Sequence, residues 1–267
     1  MAIITVSRGT FSGGIALSEC LSAELGYRLL SRRELLTDAA KIFKASEDQL
    51  RSALTHKPGF LKSGRLERLH YVYCVQAALA KEVQGDNVVY QGQAGHLLLH
   101  GLPHHLRLKV VADKEYRIKG AMERGHLKRD AAVERIKELD EGRDRWVNWV
   151  YGADRNDPTT YDLIFNLERI PVASACEVVV QLVNRDFQST SQSKKAADDL
   201  VLSSDIQARI GLDRSINCER IEVDASDGVV TVSGTVHTMD DADNVRRLVS
   251  QVPGVKDVNS KMATRWY

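Results

Sequence analysis

The residues with the clearest chemical potential lie near the start of the chain, in the glycine-rich stretch Ser7 to Gly14. A β-branched run, Ile3 to Val6, precedes it, and a helical pattern with a leucine at every fourth position follows. In a strand, turn and helix of this kind, the turn amides and the helix N-terminus point at one place and can hold an anion. Gly9 and Gly14 have the spacing of the two glycines in the phosphate-loop pattern G-x-x-x-x-G-K-[ST]. We therefore predict phosphate contacts from the residues of this turn, namely Gly9, Thr10, Ser12, Gly13 and Gly14.

The two positions after the second glycine depart from that pattern. Ile15 stands where a lysine would reach the outer phosphates, and Ala16 stands where a hydroxyl would bind magnesium. Loss of one preorganised charge-stabilising donor slows other enzymes by roughly 10²–10³. Nucleotide binding is thus a safer expectation than turnover, and Arg8 is the nearest residue able to restore positive charge. An ordinary strand-to-helix turn is the alternative interpretation.

The elements that follow predict a parallel sheet. Ser31 to Glu34 begins a helix with capping-box spacing, and Asp86 to His96 indicates a buried strand between two turns. Leu106 to Ala112 is typical of another apolar strand, and a helix opens behind it at Asp113. The β-α-β-α-β-α order favours an α/β fold with helices on both faces of the sheet.

Six segments in this order resemble the cytidylate kinase-like family, whose fold is that of P-loop nucleoside monophosphate kinases. They are ITVSRGTFSGG, LGYRLLSRREL, DNVVYQGQAGH, LRLKVVADKEYRI, Asp140-x-x-Arg143 and YGADRNDPTTYDLIFN. The resemblance covers about residues 1–185. Family members that look active carry a basic residue directly after the glycine pair, so Ile15 places activity in doubt. If the chain is active, the resemblance implies ATP and Mg²⁺ as cofactors.

The resemblance also implies roles for individual side chains. Catalytic roles fall to Arg8, Arg117 and Arg143, and contacts with a monophosphate such as CMP fall to Arg32, Asp140, Arg143 and His96. Arg117, Arg124 and Arg129 lie in the segment that resembles the lid, and we rank Arg117 first. His56, Lys57 and Arg65 lie in the connection that holds the phosphate acceptor in related folds. A solvated, charged helix face is the simpler interpretation of Asp140 and Arg143.

Histidines and cysteines offer a second set of reactive groups. His96, His100 and His104 have metal-ligand spacing on a helix, but Gly101 and Pro103 interrupt that helix, so we predict no metal site. The four cysteines are widely separated in sequence and contain no C-x-x-C pair, which favours reduced thiols.

The polar stretch Asn184 to Lys195 indicates a domain boundary, and we predict domains at 1–185 and 196–267 joined by a linker at 186–195. The second domain is predicted as α-β-β-α-β, with a hairpin turning at Asp227-Gly228. DGVVTVSGTV and VPGVKDV resemble the BON domain, a small α+β module. That resemblance implies binding of protein, a small ligand or lipid, and self-association is a further possibility because so small a core is marginal.

The composition limits the partners. Of 267 residues, 37 are basic and 36 acidic, giving a net charge of +1 that favours neither DNA nor RNA as a ligand. The sequence predicts no transmembrane segment and no signal peptide, so the predicted location is the cytoplasm.

Three functional hypotheses remain at this stage. The first is a nucleotide-binding, weak or inactive phosphotransferase that acts as a ligand sensor through its BON-like domain. The second is an active CMP/dCMP kinase in which an arginine compensates for the missing lysine. The third is a non-enzymatic, oligomeric scaffold.

Overall fold

The computed structural model describes residues 1–55 and 62–264, and gives the backbone alone for residues 62–65, 219 and 220. The strands are β1 (Ile3–Arg8), β2 (Arg28–Ser31), β3 (Val88–Gln91), β4 (His105–Val111), β5 (Leu163–Asn166), β6 (Cys218–Ser226), β7 (Val229–Val236) and β8 (Asp257–Thr264). The helices are α1 (Gly14–Leu25), α2 (Arg32–Phe43), α3 (Glu47–Thr55), α4 (Lys62–Val83), α5 (Gly95–Leu98), α6 (Lys114–Gly125), α7 (Arg129–Tyr151), α8 (Val172–Asp186), α9 (Ser191–Leu212) and α10 (Met239–Ser250). By contacts, these elements form two compact units.

The first unit comprises Met1–Glu34, Thr55 and Gly85–Ser189. Its sheet has the order β2-β3-β1-β4-β5, and every pairing is parallel. The predicted α/β fold is confirmed. β1 lies in the middle of the sheet with β3 and β4 as neighbours, so the loop that follows it opens at the carboxyl edge, where open α/β sheets bind ligands.

The two faces of this sheet differ in polarity. On one face, Ile4 and Val6 of β1 pack in an apolar core with residues of α1 and α8. On the other face, Thr5 and Ser7 contact the imidazoles of His105 and His96. The short helix α5 covers this second face and ends before Gly101, as the predicted interruption requires.

The second unit comprises residues 35–54, 62–84 and 190–264 of the described chain. β6 and β7 form an antiparallel hairpin, and β8 adds to β7 in parallel. Asp227 and Gly228 both have positive φ, 53° and 82°, which is the geometry of the tight hairpin turn predicted for this dipeptide. The α-β-β-α-β order of α9, β6, β7, α10 and β8 is confirmed.

Helix α4 belongs to this second unit, although it precedes β3 in the chain. Its residues from Val72 to Val83 are buried on almost every side, which identifies a helix inside a core. It packs on α9, and a Cβ added at Gly211 would lie 2.9 Å from His70 Cγ. The sequence-based boundaries at 185 and 196 do not anticipate this grouping of residues.

Helix α9 begins inside the stretch that the sequence favours as a linker. Thr190 caps the helix: its hydroxyl accepts from Ser193 N at 3.1 Å, and its own amide donates to Ser193 Oγ at 2.7 Å. The polar residues there thus form a capping box. None of the described helices is both long and apolar enough to cross a membrane.

Candidate functional site

The loop after β1 keeps part of its backbone free for a ligand. Gly9 N donates to Val110 O at 3.1 Å, and Ser12 N donates to Gly9 O at 3.3 Å. Among the described residues, no acceptor is paired with the amides of Phe11, Gly13 and Gly14. Phe11 and Gly13 have positive φ, 61° and 95°, and turns of this kind orient successive amides into a concave anion site.

The two hydroxyls of the loop have different roles. The Ser12 hydroxyl is fully buried and lies 2.9 Å from Gly9 O and 3.1 Å from Val110 O, so it stabilises the turn from inside. The Thr10 hydroxyl donates to Asp140 Oδ1 at 3.0 Å and accepts from Arg143 Nη1 at 2.7 Å. Thr10 therefore connects the loop to α7.

Helices α6 and α7 bring a charged cluster onto the same loop. Arg117 Nε donates to Thr10 O at 2.8 Å, and Arg117 Nη2 forms an ion pair with Asp140. Arg143 Nη1 lies 3.3 Å from Asp140 Oδ1. The structure thus brings the predicted loop together with Arg117 of α6 and with Asp140 and Arg143 of α7.

Two glycines allow arginines to approach the loop. A Cβ at Gly9 would lie 3.4 Å from Arg117 Cζ, and a Cβ at Gly14 would lie 2.8 Å from Arg8 Cδ. The Arg8 guanidinium donates to the Gln91 amide oxygen from Nε at 3.1 Å and Nη2 at 3.2 Å, with that amide oriented to accept. A larger residue at position 14 would force the Arg8 stem to move.

The arginines of this site are desolvated and close to one another. Burial, followed by the charge of Arg124, lowers the pKa of Arg8. Burial, followed by the charge of Arg8, lowers the pKa of Arg143 to about 10 even though Asp140 acts in the opposite direction. Burial acts to raise the pKa of Asp140, but hydrogen bonding and charge from Arg117 hold it below its ordinary value.

Arg32 and His96 lie beside this cluster. Arg32 starts α2, and its charge contributes to the lowered pKa of Arg143. His96 Nδ1 is 3.0 Å from Ser7 Oγ, and its ring lies 4.4 Å from that of Tyr161. Burial first, then nearby cations, lowers the pKa of His96 to about 3, so its imidazole is neutral at neutral pH.

Three buried polar atoms on β3 and the turn after it have no partner among the described residues. They are Tyr90 Oη, Gln93 Nε2 and His96 Nε2. Buried polar groups are nearly always hydrogen-bonded, so these three atoms are exceptions that lie close together in the chain.

The two other predicted lid arginines, Arg124 and Arg129, have different surroundings. Arg129 Nη2 contacts both carboxylate oxygens of Glu115 at 2.8 Å and is exposed. Arg124 affects the site through its charge on Arg8. His56, Lys57 and the side chain of Arg65 lie outside the described residues.

Arg155 is a site residue that the sequence did not single out. It is 9% exposed, its Nε donates to Asp144 Oδ1 at 2.6 Å, and its charge contributes to the lowered pKa of Arg143. In the sequence, Arg155 stands between Asp154 and Asn156 in the segment before β5, and no recognised motif includes it. That signal does not distinguish a buried arginine from a solvated one.

The histidines with metal-ligand spacing are separated in the fold. His104 Nε2 contacts Asp86 Oδ1 at 2.6 Å, whereas His96 contacts Ser7. Among residues 1–55 and 62–264, no group of three His, Cys, Asp or Glu side chains is arranged to hold a metal ion.

The loop, the arginines around it and the parallel sheet are the features on which the resemblance to a kinase family was based. Comparison with known protein families tests that resemblance. The cytidylate kinase-like family model matches residues 3–169. The chain belongs to the cytidylate kinase-like family. The BON domain model matches residues 198–265, so the predicted second domain is confirmed too.

Individual relatives match parts of the chain. Osmotically-inducible protein Y of Escherichia coli (strain K12) is 30% identical over 102 residues, which are 37% of this chain and 50% of that protein. The chain therefore spans about half the length of this curated relative.

Two solved structures align with this chain. An uncharacterized protein from Eubacterium ventriosum ATCC 27560 aligns with a TM-score of 0.56 and 18% identity, covering 68% of this chain and 98% of that chain. Shikimate kinase from Bacteroides thetaiotaomicron aligns with a TM-score of 0.42 and 12% identity, covering 68% and 98%. The first similarity supports the fold, and the second is too distant to support any detail of the site.

Proposed function

We propose that this protein binds the phosphates of a nucleotide of the CMP or ATP class at the loop 9–14 and is a weak or inactive phosphotransferase. The supporting observation is the crowding of partly buried arginines around loop amides that have no acceptor among the described residues. Arg8 and Arg143 both have lowered pKa values because they are desolvated and near other cations. A phosphate supplies the negative charge and the acceptors that such a site lacks.

The charge balance of the site strengthens this interpretation. Among the described residues, the cations Arg8, Arg117, Arg143 and Arg155 lie at this site, and the carboxylates that pair with three of them are Asp140 and Asp144. Buried charge without enough counter-charge is costly, so a structural role alone would favour fewer arginines. A bound anionic ligand would supply the missing counter-charge.

Weak turnover follows from the first turn of α1. Ile15 is 41% exposed at the position of the absent lysine, and the adjacent Ala16 has no hydroxyl. Loss of one preorganised charge-stabilising donor slows other enzymes by roughly 10²–10³, and here two groups are missing. The free amides and the arginines are unaffected, so binding survives the loss.

The residues of the site suit the phosphates of ATP better than its magnesium ion. Phe11, Gly13 and Gly14 offer amides to phosphate oxygens, but position 16 lacks the oxygen ligand that a P-loop gives to magnesium. A nucleotide-bound magnesium ion would supply charge neutralisation for the phosphates. Its binding by this chain would depend on the nucleotide itself.

An active CMP/dCMP kinase is the second candidate, and the position of Arg8 favours it. The Arg8 side chain packs on Gly14, next to the position of the missing lysine, and is held by Gln91. If Arg8 compensates, Arg8→Met should abolish turnover. Under our first proposal there is little turnover to lose.

A titration with matched variants tests the proposal. The protein is mixed with ATP, CMP and Mg²⁺ while binding heat and ADP formation are followed. Arg143→Gln should weaken nucleotide binding roughly 10–100-fold, the value of a charge-assisted hydrogen bond. Arg145→Gln is the control, because Arg145 lies on the same helix and pairs with exposed Glu141.

Each outcome of this titration selects one hypothesis. Binding without turnover, weakened by Arg143→Gln alone, supports the proposal. Turnover of about 1–100 per second indicates the active kinase. Absence of nucleotide binding rejects both and leaves the oligomeric scaffold.

The sensor role of the BON domain and the cytoplasmic location belong to the same proposal. For the BON-like domain we propose binding of a protein or a small ligand, as its resemblance to the BON domain implies. Hydrogen exchange of residues 196–264 with and without nucleotide tests the sensor role: unchanged exchange would reject it. Cell fractionation tests the location.

A further inference from the structure

The carboxylate of Asp140 contacts the loop to which the proposed function assigns phosphate. Its Oδ1 lies 3.0 Å from Thr10 Oγ1 and 3.4 Å from Thr10 N, and 3.3 Å from Arg143 Nη1. Its Oδ2 pairs with Arg117. One carboxylate thus uses a loop amide, a loop hydroxyl and two guanidinium groups at once, the donor types that bind phosphate oxygens in proteins.

The neighbouring acids on α7 do not share this position. Glu141 is exposed and contacts Arg145 at 3.1 Å, whereas Asp144 contacts Arg155 at 2.6 Å. Asp140 is the acid on α7 whose contacts reach the loop, within the described residues. Asp140 and Arg143 are three residues apart on α7, so they lie on the same face of the helix, and both contact the Thr10 hydroxyl.

We propose that Asp140 is a resident anion that a phosphate ligand must displace, and that it restricts the site to ligands carrying at least two negative charges on phosphate. This inference rests on the proposed function. A carboxylate and a phosphate at the same donors repel each other, so bound ligand and the Asp140 contacts exclude one another. A monovalent anion offers no more charge than the carboxylate that it would replace.

The prediction opposes the interpretation of Asp140 as a contact for cytidine monophosphate. If Asp140 accepts a hydrogen bond from the nucleoside of CMP, Asp140→Asn weakens CMP binding and does not tighten pyrophosphate binding. If Asp140 competes with the ligand, Asp140→Asn strengthens binding, because the amide keeps the size of the side chain and loses its charge. The direction of one affinity change therefore separates the two roles.

The experiment is calorimetric titration with pyrophosphate of the wild type, Asp140→Asn and Glu141→Gln. Glu141→Gln is the matched control, since it removes the same charge from the adjacent position of the same helix. We expect Asp140→Asn to bind pyrophosphate roughly tenfold tighter, the equivalent of one charge-assisted hydrogen bond, and Glu141→Gln to match the wild type. Acetate should compete with pyrophosphate more effectively in Asp140→Asn than in the wild type.

Each result decides between the two proposals. Equal affinities, or weaker binding by Asp140→Asn, overturn the resident-anion role and leave the proposed function standing. Failure of all three proteins to bind pyrophosphate or nucleotide overturns the proposed function itself. If Asp140→Asn does not fold, a crystal structure of the wild type with pyrophosphate decides: loss of the Asp140–Thr10 contact supports displacement, and its persistence beside bound ligand refutes it.

Discussion

Two buried histidines should make the first unit lose stability between pH 7.5 and 5.0. Burial above all lowers the pKa of His105 to about 4 and that of His96 to about 3, whereas an unfolded chain titrates histidine near 6.5. His105 Nδ1 is 3.1 Å from Leu99 O and must donate to it, so Nε2 accepts from Thr5 Oγ1 at 2.8 Å. The fold therefore holds His105 neutral.

The sign and size of the effect follow from these values. Below pH 6.5 the unfolded chain takes up protons that the folded histidines reject, so unfolding becomes more favourable as pH falls. At pH 5.0 each histidine removes about 2 kcal/mol of stability, or about 4 kcal/mol together. Carboxylates with lowered pKa, such as Asp140 and Asp162, lose their contribution only as pH falls below about 4, so this window isolates the histidines.

Urea unfolding at pH 7.5 and 5.0 measures the loss, with tryptophan fluorescence as the signal because Trp146 is fully buried in this unit. His105→Gln should remove about 2 kcal/mol of the pH dependence, since glutamine does not titrate. His100→Gln, at an exposed position, is the control and should leave the pH dependence intact. Equal unfolding free energies at the two pH values, or an unchanged pH dependence in His105→Gln, would refute the reasoning.

Three further predictions concern the loop, the helices and the thiols. Ile15→Lys should tighten ATP binding roughly tenfold in calorimetry, because it adds a charged donor at the phosphates; unchanged affinity would place the nucleotide elsewhere. Gly142→Ala should stabilise the protein by roughly 0.5–1 kcal/mol in thermal unfolding, because the added Cβ meets nothing within 4 Å. Gly211→Ala should destabilise the protein, because the added Cβ would crowd His70. Burial first, then the thiol of Cys20, raises the pKa of Cys176 to about 12, so DTNB should modify Cys176 at pH 8 roughly 10³-fold more slowly than free cysteine; fast labelling would contradict its burial.

The parts of the fold that the sequence predicts are those that local patterns determine. The first strand, glycine turn and helix and the Asp227-Gly228 hairpin each depend on a few adjacent residues. Asp113, for example, accepts from Glu115 N at 2.7 Å and so starts α6 at the predicted place. Signals of this kind are read without knowing the tertiary structure.

The parts that escape prediction depend on contacts between distant residues. The burial of α4 against α9, the meeting of the Cys20 and Cys176 thiols and the position of Arg155 all arise from packing. Asp140 shows the same limit within the site. Its spacing from Arg143 marks one helix face, but only the fold shows that this face contacts Thr10.

The central claim, that main-chain amides of the loop bind phosphate although the usual lysine is missing, is tested most directly by NMR. Backbone amide resonances are followed while ATP is added to the ¹⁵N-labelled protein. The account predicts the largest shifts at Phe11, Gly13 and Gly14, the amides with no acceptor among the described residues. Saturable shifts confined to other residues, or no shifts at millimolar ATP, would contradict it.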